Sequence, residues 1–314
     1  MEEPLFAASA PISVSRVGLR ARDAGKLADF YQKVVGLREV RRDGEIIALG
    51  TGERALLVIE GDPTLRQEDP RGAGLFHTAF LLPSRADLGR WINHAIARQI
   101  PVEGASDHLV SEALYLTDPE GNGIEIYADR PAAQWKWKGW EVERPPHRRA
   151  VQGFRDSIPA GTPEWDGFPE SAIIGHVHLR VGDPQVAERW WNGEMGFDTV
   201  AHYGRDAVFL STGGYHHHIG ANAWQNRGAG PRQPALGEIV DHSAMLRGPQ
   251  AARVCSVRRE SRHRRGEQAG QAGARDIERT VRALALDWAQ GAGNAAADDG
   301  DARHGRSGQG LAVV

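Results

Sequence analysis

Residues 75–84 read LFHTAFLLPS, an apolar strand that runs straight into a helix start at Ser84. The phrase recurs as VSRVGLRARD at 14–23 and IGHVHLRVGD at 174–183. Asp23, Ser84 and Asp183 are each suited to cap a helix, because a short polar side chain satisfies a free backbone N–H. Seven residues before these caps stand Arg16, His77 and His176. The segments ALLVIEGD, GIEIYAD and HHHIGAN align as last strands, ending on Asp62, Asp129 and Asn222. Four residues before those ends come Val58, Glu125 and His218.

Each copy reads strand, amphipathic helix, then further strands. Leu27, Phe30, Tyr31 and Val34 form one buried stripe, and Leu88, Trp91, Ile92 and Ala95 form another. Trp190 and Trp191 match Phe30 and Tyr31 in the third copy. Gly36 and Gly196 each lie thirteen residues after their cap, where a glycine ends a helix in the left-handed conformation. The spacing predicts an α+β protein of repeated βαβββ modules forming cupped mixed sheets. Residues 1–130 hold two modules, 131–170 a connector rich in Trp and Pro, and 171–236 a third module. A fourth module is expected and absent from the pattern. Residues 237–314 read instead as an irregular tail rich in Arg, Ala and Gly, from a shifted reading frame or a disordered extension, with helical period only over Glu278–Ala289.

Composition narrows the function. The 314 residues carry a net charge of −3, so no overall field draws nucleic acid or an anionic membrane. The stretch Arg258–Arg265 lacks the interleaved aromatics of a nucleic-acid site. A single cysteine, Cys255, rules out an internal disulfide and a cysteine zinc cage. With no signal peptide and no run of roughly 18 apolar residues, a cytoplasmic protein that does not span a membrane is expected.

His77 and His176 share one register, and Glu125 alternates with Ile124 and Ile126 on a strand. A carboxylate among apolar neighbours needs a partner, and a cation supplies one. Two histidines and one carboxylate form a metal ligand set that leaves coordination positions open. His178 shares a face with His176 and competes for the role, although register favours His176. A regular strand would put His216 and His218 on one face and His217 on the other, unless a bulge intervenes. Histidine beside an open metal site is suited to moving protons near neutral pH. Tyr115, across the PEGNG turn from Glu125, and His108 are further candidates for the same cup.

The segments SDHLVSEALYLTDPEGNGIEIYADRP, IIGHVHLRV and GGYHHHIGAN resemble the vicinal oxygen chelate superfamily, and within it the two-domain catechol 2,3-dioxygenases of bacteria, over roughly Ser13–Arg227. The resemblance implies the vicinal oxygen chelate fold and Fe(II) held by His77, Glu125 and His176, with Mn(II) accepted by the same donors. It implies a catechol and O2 as substrates, a muconic semialdehyde as product, and a homo-oligomeric assembly. His217 would be the acid–base group, Tyr115 a donor to the bound substrate oxygen, and His108 part of the pocket. Many such enzymes build the site from their third and fourth modules. Here modules two and three must share a cup, within one chain or across a dimer. Three alternatives stand beside this one. With His218 as a fourth ligand, a glyoxalase-like lyase or isomerase is favoured. A metal-free binder of small aromatics, and a truncated pseudoenzyme, complete the set.

Overall fold

All three helix caps form as the sequence predicts. The side chains of Asp23, Ser84 and Asp183 accept the backbone N–H of Lys26, Asp87 and Gln185. Each such cap contributes about 1 kcal/mol. The computed structural model describes residues 4–65, 69–143, 147–149, 158, 161–230, 244–247 and 312–313. A helical turn α1 (Phe6–Ser9) precedes the first unit: β1 (Ser13–Ala21), α2 (Ala24–Val34), β2 (Arg38–Asp43), β3 (Ile46–Thr51) and β4 (Arg54–Gly61). The second unit is β5 (Gly74–Leu82), α3 (Arg85–Ala97), β6 (Gly104–Asp107), β7 (Ser111–Thr117) and β8 (Gly123–Asp129). A connector carries β9 (Trp137–Lys138), β10 (Glu141–Val142) and β11 (His147–Arg149). The third unit is β12 (Ile173–Arg180), α4 (Pro184–Met195), β13 (Asp198–Tyr203), β14 (Ala207–Ser211) and β15 (Ile219–Asn222), followed by β16 (Ala244–Arg247) and β17 (Ala312–Val313).

In every unit the first strand pairs in parallel with the last: β1 with β4, β5 with β8, β12 with β15. This leaves one edge of each first strand unpaired within its unit. β5 and β12 cover each other's edges antiparallel, joining units two and three into one sheet of order β11-β6-β7-β8-β5-β12-β15-β14-β13. The sheets therefore do not follow the sequence division at residue 130. Unit one forms the other large sheet, β17-β16-β1-β4-β3-β2. There β16 lies antiparallel on β1, as β12 lies on β5, and so takes the place of a fourth unit's first strand. Outside these short strands, the expected tail and its helical period over 278–289 lie beyond the described residues.

The three long helices share one core. Leu27, Tyr31, Leu88, Trp91, Trp190 and Trp191 pack with the inward residues of both large sheets. Gly36, at φ +90°, ends α2 in the left-handed region as expected, and its carbonyl accepts the N–H of Phe168 from the connector. The connector is not confined to the first two units. Trp135 is buried and stacks on Phe6, with Tyr215 of the third unit at 5.8 Å. Trp135 belongs to a second, smaller core with Ala79, Leu81, Tyr127, Ile173 and Tyr215. That core lies on the face of the nine-stranded sheet turned away from the helices, and on it the candidate site is built. No helix among the described residues is long and apolar enough to cross a membrane.

Candidate metal centre

Strand alternation accounts for Glu125. Ile124, Ile126 and Ala128 of β8 pack in the helix-side core, so Glu125 and Tyr127 project from the opposite face. On β12 alternation alone fails. Ile174 and Val177, three residues apart, both join the helix-side core, which a bulge at Gly175 allows. On β5, Leu75 joins the same core, and the pairing with β12 skips Phe76 opposite the step from His178 to Leu179. The bulge at Gly175 turns His176 onto the face that carries Glu125, and His77 reaches that face by alternation with Ala79 and Leu81.

The three side chains meet. His77 Nε2 lies 3.0 Å and His176 Nε2 3.1 Å from Glu125 Oε2, and the two nitrogens are 3.3 Å apart. All three residues are buried, and they are the metal-competent cluster found among the described residues. Two imidazoles and a carboxylate this close repel one another unless a proton or a cation lies among them. Metal–ligand bonds of about 2.1 Å at right angles separate donor atoms by about 3 Å. The triangle has that spacing, so the three donors would suit a divalent ion held among them.

Burial alone would raise the Glu125 carboxyl, but the facing His176 and His77 outweigh it and hold it well below the usual carboxylate range. Burial takes His176 down to about 4, against the pull of Glu125. A neutral imidazole beside an ionised carboxylate is the protonation state that metal coordination requires.

The other predicted residues divide. Tyr115 on β7 pairs directly with Glu125 on β8, and its ring stands 5.9 Å from that of His77. His108 Nε2 lies 2.8 Å from the Tyr115 hydroxyl. His178 is paired with His77, ring to ring at 4.9 Å, yet it sits among Phe76, Phe209 and Trp224 and outside the donor triangle. The ring of His217 lies against that of His176, tilted by 41° with centroids 3.9 Å apart. His218 is a correction: its Nδ1 is engaged by Ser211 Oγ at 3.0 Å and its Nε2 by the Ala7 carbonyl at 3.0 Å, so it is no ligand. The face assignment of the triplet is corrected too. Residues 216–218 precede β15 rather than extend it, and His216 and His217 turn the same way, Nδ1 to Nδ1 at 2.7 Å. The pairing of β12 with β15 also sets Gly220, not His218, level with Glu125, since Gly220 faces His178 as Glu125 faces Ala79.

Sequence reasoning gave no role to Tyr127, Tyr215, His216 or Asp129. Tyr127 is two residues from Glu125 and on its face, so alternation could have found it. Asp129, two residues further along β8, follows the same alternation, whereas Tyr215 and His216 depend on loop geometry that periodicity does not encode.

The profile of the glyoxalase/bleomycin resistance protein/dioxygenase superfamily matches residues 13–126. The chain is 41% identical over 225 residues to catechol-2,3-dioxygenase of Bacillus subtilis (strain 168), spanning 68% of this chain and 75% of that protein. The chain belongs to the glyoxalase/bleomycin resistance protein/dioxygenase superfamily. A second member, biphenyl-2,3-diol 1,2-dioxygenase 3 of Rhodococcus globerulus, is 30% identical over 118 residues, 35% of this chain and 60% of that one. Among solved structures, a Bacillus subtilis dioxygenase aligns at TM-score 0.49 and 16% identity over 73% of this chain and 68% of its own. Glyoxalase I of Zea mays aligns at TM-score 0.42 and 14% identity, over 70% and 71%. In this superfamily member the triad comes from neighbouring strands β8, β5 and β12 of a single chain.

Proposed function

We propose that the protein is an Fe(II)-dependent extradiol dioxygenase that opens a catechol beside its two hydroxyls to a 2-hydroxymuconic semialdehyde. The observation that carries this reading is the triangle of His77, Glu125 and His176, with sides of 3.0 to 3.3 Å. The 41% identity to a catechol-2,3-dioxygenase supports it. When bound, Fe(II) supplies the redox chemistry that joins a catechol to O2, and His77, Glu125 and His176 hold it; Mn(II) suits the same donors.

The chain's own residues supply proton handling and orientation. His217, against the ligand ring of His176, takes the proton of one catechol hydroxyl and returns it as ring opening proceeds. Tyr115, level with Glu125, donates its hydroxyl hydrogen to a substrate oxygen. His108 holds that hydroxyl in place. Phe76, Phe209 and Trp224 offer aromatic faces for the ring.

The test is anaerobic reconstitution with Fe(II), then catechol and its 3- and 4-substituted forms, with oxygen uptake and product absorbance followed together. Coupled oxygen loss and yellow product, abolished by Glu125→Ala, is the expected result. Metal bound without oxygen uptake would shift the assignment to lyase or isomerase chemistry. Absence of metal binding would point to a binder. Parallel reconstitution with Mn(II) identifies the working metal.

A further inference from the structure

Two hydrogen-bonded arms leave one oxygen of Asp129. On the first, His216 Nε2 lies 2.8 Å from Asp129 Oδ1, and His216 Nδ1 lies 2.7 Å from His217 Nδ1. On the second, the Tyr215 hydroxyl donates to Asp129 Oδ1 at 3.3 Å. The Tyr127 and Tyr215 hydroxyls are 2.8 Å apart, and Tyr127 Oη is 3.2 Å from His176 Nδ1. Thus one carboxylate is wired both to the histidine beside the triad and to a member of the triad. His216 and Tyr215 are fully buried, while the Asp129 side chain keeps 19% exposure.

The direction of each arm follows from donor and acceptor counting. A carboxylate only accepts, so His216 presents Nε2–H to Asp129. With His216 neutral, its Nδ1 carries the lone pair, and His217 meets it with its own Nδ1–H. That leaves His217 Nε2 with a lone pair. On the other arm Tyr215 gives its proton to Asp129, so it accepts from Tyr127. Tyr127, having given its proton, accepts from His176 Nδ1–H. That leaves His176 Nε2 with a lone pair, on the nitrogen that faces Glu125.

We propose that Asp129 is a positioning residue that fixes the proton on Nδ1 of both His176 and His217, preparing the first as a metal ligand and the second as a base. The proposal rests on the extradiol reading for the roles of the two histidines, though not for their tautomers. When His217 Nε2 takes a proton from a catechol hydroxyl, Nδ1–H stays in place. The new imidazolium then faces the Asp129 carboxylate through neutral His216. A second-sphere carboxylate of this kind both orients a histidine and raises its basicity.

The two arms can be cut separately. His216→Phe keeps the ring packed against Trp135 and Tyr215 but severs only the arm to His217. Tyr215→Phe severs only the arm to His176. Asp129→Ala severs both. The full-length, metal-free protein labelled with ¹⁵N-histidine gives the tautomer of each ring from its nitrogen shifts. Wild type should show Nδ1–H on both His176 and His217. His216→Phe should move only His217 toward Nε2–H, Tyr215→Phe only His176, and Asp129→Ala both. With Fe(II), His216→Phe should keep its metal and KM while kcat falls about 10²-fold or more. Tyr215→Phe should weaken metal binding by about 10- to 100-fold.

A wild-type spectrum with Nε2–H on either histidine, or variants that move neither ring, would overturn the proposal even if catechol were cleaved. Arm-specific shifts without any oxygen uptake would uphold the wiring and defeat the extradiol reading instead.

Discussion

The hydroxyl of Tyr127 occupies the place where residue 175 would carry a side chain: a Cβ on Gly175 would come within 1.8 Å of Tyr127 Oη. Gly175 is also the bulge that turns His176 toward Glu125. One glycine therefore sets the aim of the ligand and makes room for the group that bonds its Nδ1. Gly175→Ala should displace Tyr127 and disturb His176. Thermal unfolding should fall by several degrees, as for a core overpacking of about 1–3 kcal/mol. Metal affinity measured by competition with a chelator should fall by about 10- to 100-fold.

Glu125→Ala should abolish metal binding. At metal concentrations near 100 times Kd, a bound ion stabilises a folded protein by about 2.7 kcal/mol. Wild type should therefore unfold at a higher temperature with Fe(II) or Mn(II) than without, and the variant should show no difference. An equal metal-dependent rise in both proteins would remove Glu125 from the ligand set.

Tyr115→Phe and His108→Phe should interact strongly. His108 touches Tyr115 at 2.8 Å, so its effect on kcat/KM runs through that hydroxyl. The double variant should be little worse than Tyr115→Phe alone, with a coupling of about 0.5–3 kcal/mol in the mutant cycle. Additive losses would mean that His108 acts on substrate independently.

His218 should make the fold acid-sensitive. Burial pushes it from 6.5 down to about 4, against the help of the Ala7 carbonyl. The folded chain keeps His218 neutral while the unfolded chain protonates it first. Its contribution is fully present above pH 6.5 and is lost as pH falls from 6.5 toward 4, by an amount on the order of 3 kcal/mol. Urea midpoints measured across this window should drop less steeply for His218→Gln than for wild type. Equal slopes would show that His218 is not held neutral by the fold.

Much of this molecule is legible from local spacing. The caps at Asp23, Ser84 and Asp183, the apolar stripes behind them and the glycine after α2 rest on interactions a few residues long. His77, Glu125 and His176 could be singled out because their units repeat a common register, and the structure brings all three together. Alternation failed where the chain departs from a regular strand. His216 and His217 share a direction because they lie before β15, and His218 serves as packing against α1.

The sequence by itself determined the repeated units, the helix boundaries and the residue types able to hold a metal, because periodicity and capping are local. Only the tertiary structure decided that β5 pairs with β12, so that units two and three share one sheet within a single chain. It also decided the bulge that brings His176 to the face of Glu125, and the convergence of two arms on Asp129. Strand register depends on which edges meet, and edges meet through packing between distant segments, as with His77 and His176, 99 residues apart.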